Sequence, residues 1–320
     1  MKKLSLAYFG SPDFAADFLE KLITDTTINQ LIEVKLVVTQ PDKKVGRKQI
    51  MTPTPVKEVA EKYKIINNVS FPRRRESKPK ALDPLLRGDD KDIDLALVYA
   101  YGDLIPKELL TLPKYGFWNI HPSLLPKYRG TSPIATPLIN GDKTTGVTII
   151  KMDEEIDHGP IIAQESCAIK DTDYRPDLEK KLTDLGFEMF KKTVTQLTGS
   201  PTFAEASAGR RVNELRTKEQ NHKEATYTKK LEKSDGFIEF EKLKDLLKLT
   251  TIHQSLVTFY NLFRGLYPWP GLWTILPNGK RLKITDMSLT TSHQPLMTKV
   301  QLEGKNEVYF ETFNKAYNIF

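Results

Sequence analysis

The stretch Ile93 to Tyr101, IDLALVYAY, limits the possible folds more than any other part of the chain. It is almost continuously apolar, and a strand that reads this way is covered on both faces, as in the centre of a parallel sheet. The flanking sequence supplies what such a sheet needs. Leu4 to Phe9 is a short apolar run, Gly10-Ser11-Pro12 breaks it, and Phe14, Phe18 and Leu22 then recur at helical spacing from Asp13 onward. Ile32 to Thr39 reads as a second strand and Val56 to Tyr63 as a helix. The expected class is α/β with a mostly parallel sheet.

Gly116 to Gly130, GFWNIHPSLLPKYRG, carries the chemistry. Phe117, Trp118 and Ile120 read as a short buried strand, and a strand sends residues i and i+2 to one face, so Asn119 and His121 point together. Pro122 cannot continue a central ladder, which places His121 at the carboxyl end of its strand. In an open α/β sheet, that end is where ligands bind. Gly146 to Met152 reads as the next long strand and Ile161 to Ile169 as its return, with MDEEIDHGP at 152–160 turning between them. The opening turn at Gly10 makes the first unit Rossmann-like. It lacks the second and third glycines of the dinucleotide fingerprint, so NAD is not expected.

NIHPSLLPKYRGTSPI resembles the signature of the formyltransferases that use 10-formyltetrahydrofolate, and more narrowly that of the methionyl-tRNA formyltransferases among them. The family motif is an Asn-x-His pair, a Ser-Leu-Leu-Pro folate segment and an Asp in a later glycine turn. The resemblance implies Asn119, His121 and Asp157 as catalytic residues. Ser123, Leu124, Leu125, Pro126, Tyr101 and Gly102 are implied as the lining of the folate site. It also implies a Rossmann-like formyltransferase domain over 1–198 and, beyond a linker that the small, polar and charged composition of 199–224 marks, a smaller OB-like β-barrel domain over 225–320 that binds tRNA. Tyr267-Pro268-Trp269-Pro270-Gly271 resembles the start of that second domain, where three alternating strands are expected near 272–276, 281–289 and 299–303. Core packing is the plain reading of Trp269 and Trp273. The final segment, YFETFNKAYNIF, departs from the usual family ending.

A formal net charge of +7 favours a polyanionic partner. Lys43, Lys44, Arg47 and Lys48 project from 40–55, a segment punctuated by Pro41, Gly46, Pro53 and Pro55 with no apolar period, so a basic loop is expected. The resemblance makes it a tRNA-binding loop against the acceptor end; by composition alone it is a solvated face. Residues 70–91 fit no element and read as a tolerated surface insertion, with an extra tRNA contact as the alternative. Leu243, Leu246, Leu247 and Leu249 open a helical stretch that continues through Leu256, Phe259, Tyr260 and Phe263, part of which, 241–255, exceeds the family's single helix.

No apolar run approaches the roughly 20 residues needed to span a bilayer, and Met1-Lys2-Lys3 leads directly into a strand, so a cytoplasmic protein without membrane contact is expected. Cys167 is the single cysteine, which rules out an intrachain disulfide, and the five histidines have no metal-ligand spacing; no metal is expected, and a monomer is.

Formyl transfer to an amine is acyl transfer, which needs an oxyanion donor, a proton acceptor and positioning. Asn119 suits the oxyanion, beside which His121 can donate or else relay the proton, and Asp157 can fix the His121 tautomer or accept a proton through water, a division the sequence leaves open. Asp153, Glu154 and Glu155 compete for the carboxylate role and are read as turn and surface charges, with His158 structural. The implied reaction is transfer of the formyl group of 10-formyltetrahydrofolate to the amino group of methionine on charged initiator tRNA. A formyltransferase for a small amine, such as a sugar nucleotide or glycinamide ribonucleotide, would share the same Asn-x-His and Asp but would need neither basic loop nor OB-like domain. A catalytically silent tRNA-binding protein would not need the three site residues.

Overall fold

The computed structural model describes residues 3–46, 48–69, 93–199, 216–248, 254–290 and 294–320. They group into two compact units. The first comprises Met1–Arg129, Gly146–Ser166 and Lys180–Thr226; the second comprises Gly130–Thr145, Cys167–Glu179 and Tyr227–Phe320. Arg47, residues 70–91 and most of the polar stretch 199–224 lie outside the described residues, so the expectations placed on them stand as they were.

The first unit is built on a seven-stranded sheet. Its strands are β1 (Leu4–Gly10), β2 (Ile32–Thr39), β5 (Ile66–Val69), β6 (Leu95–Tyr99), β7 (Phe117–His121), β9 (Thr144–Lys151) and β10 (Ile161–Ala168). They lie in the order β10-β9-β7-β6-β1-β2-β5. β5, β2, β1, β6 and β7 pair in parallel, and β9 joins β7 antiparallel with His121 opposite Thr148. Every residue of β6 is buried, as its sequence demands. Helix α1 (Asp13–Thr24) buries Ala15, Phe18, Leu19 and Leu22. Phe18 meets Tyr99 at 5.3 Å between ring centroids and Phe187 at 5.6 Å, and Phe190 meets Trp118 at 6.2 Å. This aromatic layer packs against β6 through Tyr99 and against β7 through Trp118. Helix α2 (Pro55–Lys62) starts on a proline at its first turn, with the Thr54 hydroxyl capping the Lys57 N–H at 3.2 Å.

The basic segment at 40–55 differs from the irregular loop expected. It contains an antiparallel hairpin, β3 (Lys43–Val45) against β4 (Ile50–Thr52), with Lys43 opposite Thr52 and Val45 opposite Ile50. Three residues a side are too few to set a period, and Gly46 at φ +71° makes the turn. Lys43, Lys44 and Lys48 are exposed on it.

The second unit contains a four-stranded antiparallel meander, β12 (Leu272–Ile275), β13 (Arg281–Leu289), β14 (Pro295–Leu302) and β15 (Glu307–Tyr309), following the two-residue strands β8 (Arg129–Gly130) and β11 (Tyr227–Thr228) in chain order. The third expected strand begins earlier than 299, at Pro295, a tolerated first position. β15 and the closing helix (Phe310–Tyr317) complete this unit, and neither is expected from the sequence of that segment. The helical stretch from Leu243 proves to be two helices, Phe240–Leu247 and Gln254–Leu266, whose Leu243, Leu246, Leu256, Phe259 and Phe263 join Leu282, Ile284 and Val300 in one core. Trp269 is not part of that core: it is 53% exposed. Trp273 is half-buried beside Phe237. Among the described residues, no helix is long and apolar enough to cross a membrane.

Candidate active site

Strand β7 delivers Asn119 and His121 to the same side, and the structure brings both to one carboxylate. Asn119 Nδ2 donates to Asp157 Oδ1 at 3.1 Å, and His121 Nδ1 lies 3.4 Å from the same oxygen. The His121 side chain is 5% exposed and that of Asp157 11%. Asp157 reaches this place from the turn after β9 in the left-handed backbone region, φ +51°. Of the non-glycine residues, Asp and Asn adopt that region most readily, and even for them it costs about 1 kcal/mol unless the surroundings hold it.

The tautomer of His121 follows from its other partner. Nε2 lies 2.9 Å from the Tyr128 carbonyl, which can only accept, so Nε2 carries a proton. In the neutral ring, Nδ1 is then the basic nitrogen, and it faces a carboxylate oxygen that also accepts. Two acceptors at 3.4 Å define a place for one shared proton. Asn119 gives one amide hydrogen to Asp157 and retains a second for another acceptor.

The rest of the acidic turn has other partners. Asp153 Oδ2 accepts from His158 Nδ1 at 2.7 Å and Oδ1 takes the Glu155 N–H at 3.0 Å, so Asp153 stabilises the turn. Glu154 and Glu155 are exposed. His158 stacks on His222 with centroids 4.0 Å apart and planes 8° from parallel.

Ser123 to Pro126 form a tight loop after Pro122. Ser123 and Leu125 are buried, and Leu124 and Pro126 half-buried. The Ser123 hydroxyl donates to the Lys127 carbonyl at 2.6 Å, and Thr148 Oγ1 donates to the Ser123 carbonyl at 2.7 Å while accepting the Leu125 N–H at 3.1 Å. Gln164 Nε2 reaches the Leu125 carbonyl and Thr148 Oγ1, each at 2.8 Å. Thr148 and Gln164 thus shape the loop, which the sequence did not reveal.

At the end of β6, Tyr101 is buried edge-on to Phe9, while Gly102 is exposed at φ +87°. A Cβ on Gly102 would come within 2.7 Å of Gln40 Nε2. The Ser11 hydroxyl donates to the Tyr101 carbonyl at 3.1 Å and accepts the Gln40 N–H at 3.2 Å, and Lys43 Nζ bonds Gln40 Oε1. One continuous network therefore links the root of the hairpin to the turn at Tyr101-Gly102.

Gln220, Arg129 and His222 also belong to the site and were missed, because they sit in a polar stretch without periodicity or in a loop. Arg129, 2% exposed, donates from Nη2 to Gln220 Oε1 at 2.7 Å and to His222 Nδ1 at 2.9 Å. A guanidinium has no acceptor, so His222 Nδ1 accepts.

Comparison with known proteins places this geometry. The family model described as formyl transferase matches residues 2–194, and that of the formyl transferase C-terminal domain matches 252–319. A curated relative from Caldicellulosiruptor saccharolyticus, named methionyl-tRNA formyltransferase, is 39% identical over 286 residues, covering 89% of this chain and 80% of the relative. The crystal structure of phosphoribosylglycinamide formyltransferase from Bacillus halodurans is 28% identical, covers 62% of this chain and 98% of that one, and superposes with a TM-score of 0.51. The sugar 3N-formyl transferase WlaRD, solved with dTDP and 5-N-formyl-THF, is 19% identical, covers 96% of this chain and all of that one, with a TM-score of 0.59, a likeness of fold.

Proposed function

This chain belongs to the formyl transferase family, and from that premise we propose that it transfers the formyl group of 10-formyltetrahydrofolate to the free amino group of methionine on charged initiator tRNA, yielding N-formylmethionyl-tRNA. The observation that carries the reading is the convergence of Asn119 and His121 on the Asp157 carboxylate, in a chain whose relative of that name matches along 89% of its length.

The chemistry follows from the atoms. The amine nitrogen attacks the formyl carbon, the carbon–N10 bond of the folate breaks, the amine loses one proton and N10 gains one. The remaining amide hydrogen of Asn119 suits the oxyanion, and one such donor stabilises a transition state by about 3 kcal/mol. His121 Nδ1 and Asp157 Oδ1, with one proton place between them, suit acceptance of the amine proton. Tyr128 holds the ring, through its carbonyl, in the tautomer that leaves Nδ1 basic. Folate binding is assigned to the loop from Ser123 to Pro126 and to Tyr101-Gly102: both follow the carboxyl ends of adjacent parallel strands, and Gly102 is exposed there. Lys43, Lys44, Arg47 and Lys48 are assigned to tRNA, in support of which the hairpin holds its described lysines in solvent.

The test is an assay of purified protein with 10-formyltetrahydrofolate, offering charged initiator tRNA beside uncharged tRNA, a sugar nucleotide amine and glycinamide ribonucleotide. Formylation of the charged tRNA alone is expected. Equal or faster transfer to a small amine would overturn the substrate assignment.

A further inference from the structure

We propose that Gln220 is a positioning residue for the proton-transfer pair, the centre of a strap that sets the distance between His121 and Asp157. This rests on the reaction proposed above. The strap is Lys218–Thr226, and both of its ends are tied by backbone to the unit that holds the site. At one end Lys218 and Ile161 exchange N–H to carbonyl bonds of 2.8 and 2.7 Å; at the other, Arg129 N–H donates to the Thr226 carbonyl at 2.8 Å, Tyr128 N–H to Thr226 Oγ1 at 2.8 Å, and Thr226 N–H to the Pro126 carbonyl at 3.2 Å. The sequence gives this stretch the composition of a linker; the structure makes it part of the wall.

Gln220 is 5% exposed at its middle, and each of its polar atoms is engaged. Oε1 accepts from Arg129 Nη2 at 2.7 Å, while Nε2 donates to the Asp157 carbonyl at 2.9 Å and to the Gly159 carbonyl at 2.7 Å. A guanidinium only donates and a carbonyl only accepts, so the amide has one orientation. The same arrangement explains why glutamine, and not glutamate or leucine, stands here. A carboxylate would set oxygen against two carbonyl oxygens, and an alkyl chain would leave a buried guanidinium and two carbonyls short of a partner.

The geometry gives this amide a role beyond filling space. On one side it holds Arg129, whose chain neighbour Tyr128 supplies the carbonyl that fixes His121. On the other it holds Asp157 itself, by the backbone of the residue in the left-handed conformation. Gln220 therefore ties the two segments that meet as His121 Nδ1 and Asp157 Oδ1. Its own side chain stays on the backbone side of that turn, so it acts through these residues.

The test compares wild type with Gln220→Leu and with the shorter amide Gln220→Asn. For Gln220→Leu the expected result is a kcat lower by about 10- to 100-fold, the scale of a misplacement near 1 Å, with KM for folate and for charged tRNA within twofold of wild type and a displaced pH profile of kcat. Gln220→Asn keeps the amide on a shorter stem and should recover part of the loss. A substrate-free readout separates this proposal from the reaction assignment: in 15N-histidine-labelled protein, the imidazole signals of His121, assigned with His121→Asn, should titrate at a different midpoint in Gln220→Leu. That comparison holds whether or not the wild type formylates tRNA. An unchanged His121 titration together with unchanged kcat overturns the proposal. So does a fall in activity that comes from raised KM or lost folded protein, with His121 unmoved. If Gln220→Leu does not fold, Gln220→Asn decides by the same two measurements.

Discussion

Gly159→Ala tests how tightly the acidic turn is held, because the structure gives its expected size. A Cβ at position 159 would stand 1.9 Å from the Lys151 carbonyl oxygen and 3.0 Å from its carbon. Side-chain carbons essentially never approach closer than 3.0 Å, so turn and strand must part by roughly 1 Å. Neither side yields freely: Lys151 N–H donates to the Pro160 carbonyl at 3.0 Å, and the Gly159 carbonyl is held by Gln220 at 2.7 Å. Asp157 lies two residues back, and a shift of its carboxylate by about that amount breaks its bond to Asn119 and opens the gap to His121. A misplacement of about 1 Å costs about 100-fold in rate, or about 3 kcal/mol of transition-state stabilisation. Overpacking of this kind also destabilises by about 1–3 kcal/mol, or several degrees in Tm. The assay is kcat with saturating folate and charged tRNA, beside a thermal melt. A kcat within about threefold of wild type, with Tm unchanged, would refute the reasoning, since it would mean that the turn relaxes without carrying Asp157.

Replacing Asn119, His121 or Asp157 with Ala should lower kcat by about 100-fold or more with the melt preserved; near wild-type turnover in any of the three removes that residue from the mechanism. Arg47→Ala, combined with Lys43→Ala and Lys44→Ala, should weaken tRNA binding, leave folate binding unchanged, and flatten the log–log salt dependence by about 0.7–0.9 for each phosphate no longer neutralised. Equal slopes and affinities in a salt titration would make the hairpin a solvated face. Asp25 has its carboxyl held below the usual range, chiefly by the Ile28 N–H and also by Thr27 and Lys191. A depressed folded value means stabilisation that is full above the unfolded value near about 4 and fades as pH falls through the folded one. The urea-midpoint gap between wild type and Asp25→Ala should therefore be flat from about pH 5 to 7 and shrink below about pH 4; a gap that persists undiminished to about pH 2.5 contradicts this.

What could be read from the sequence divides along a physical line. Ile32–Thr39, Phe117–His121 and Arg281–Leu289 stand where their patterns placed them, because a buried strand writes its burial into adjacent residues. The shared face of Asn119 and His121 came from the two-residue period alone. The hairpin at Lys43–Thr52 and the strand at Glu307–Tyr309 escaped because three residues carry no measurable period, and their apolar residues, Ile50, Met51 and Val308 among them, are exposed and follow no core. Gln220 escaped for a deeper reason. Its partners lie 63, 61 and 91 residues away in the chain, and a hydrogen bond at such separation constrains two positions without marking the residues beside either. A strand tolerates many apolar residues at each site, so its signal is redundant and spread over a window; a buried amide that answers one donor-only and two acceptor-only groups has a single solution at a single site. The positions that hold the chemistry in register are therefore the least visible in one sequence. They emerge only when the fold supplies the partner, as Arg129 and the Asp157 and Gly159 carbonyls do for Gln220.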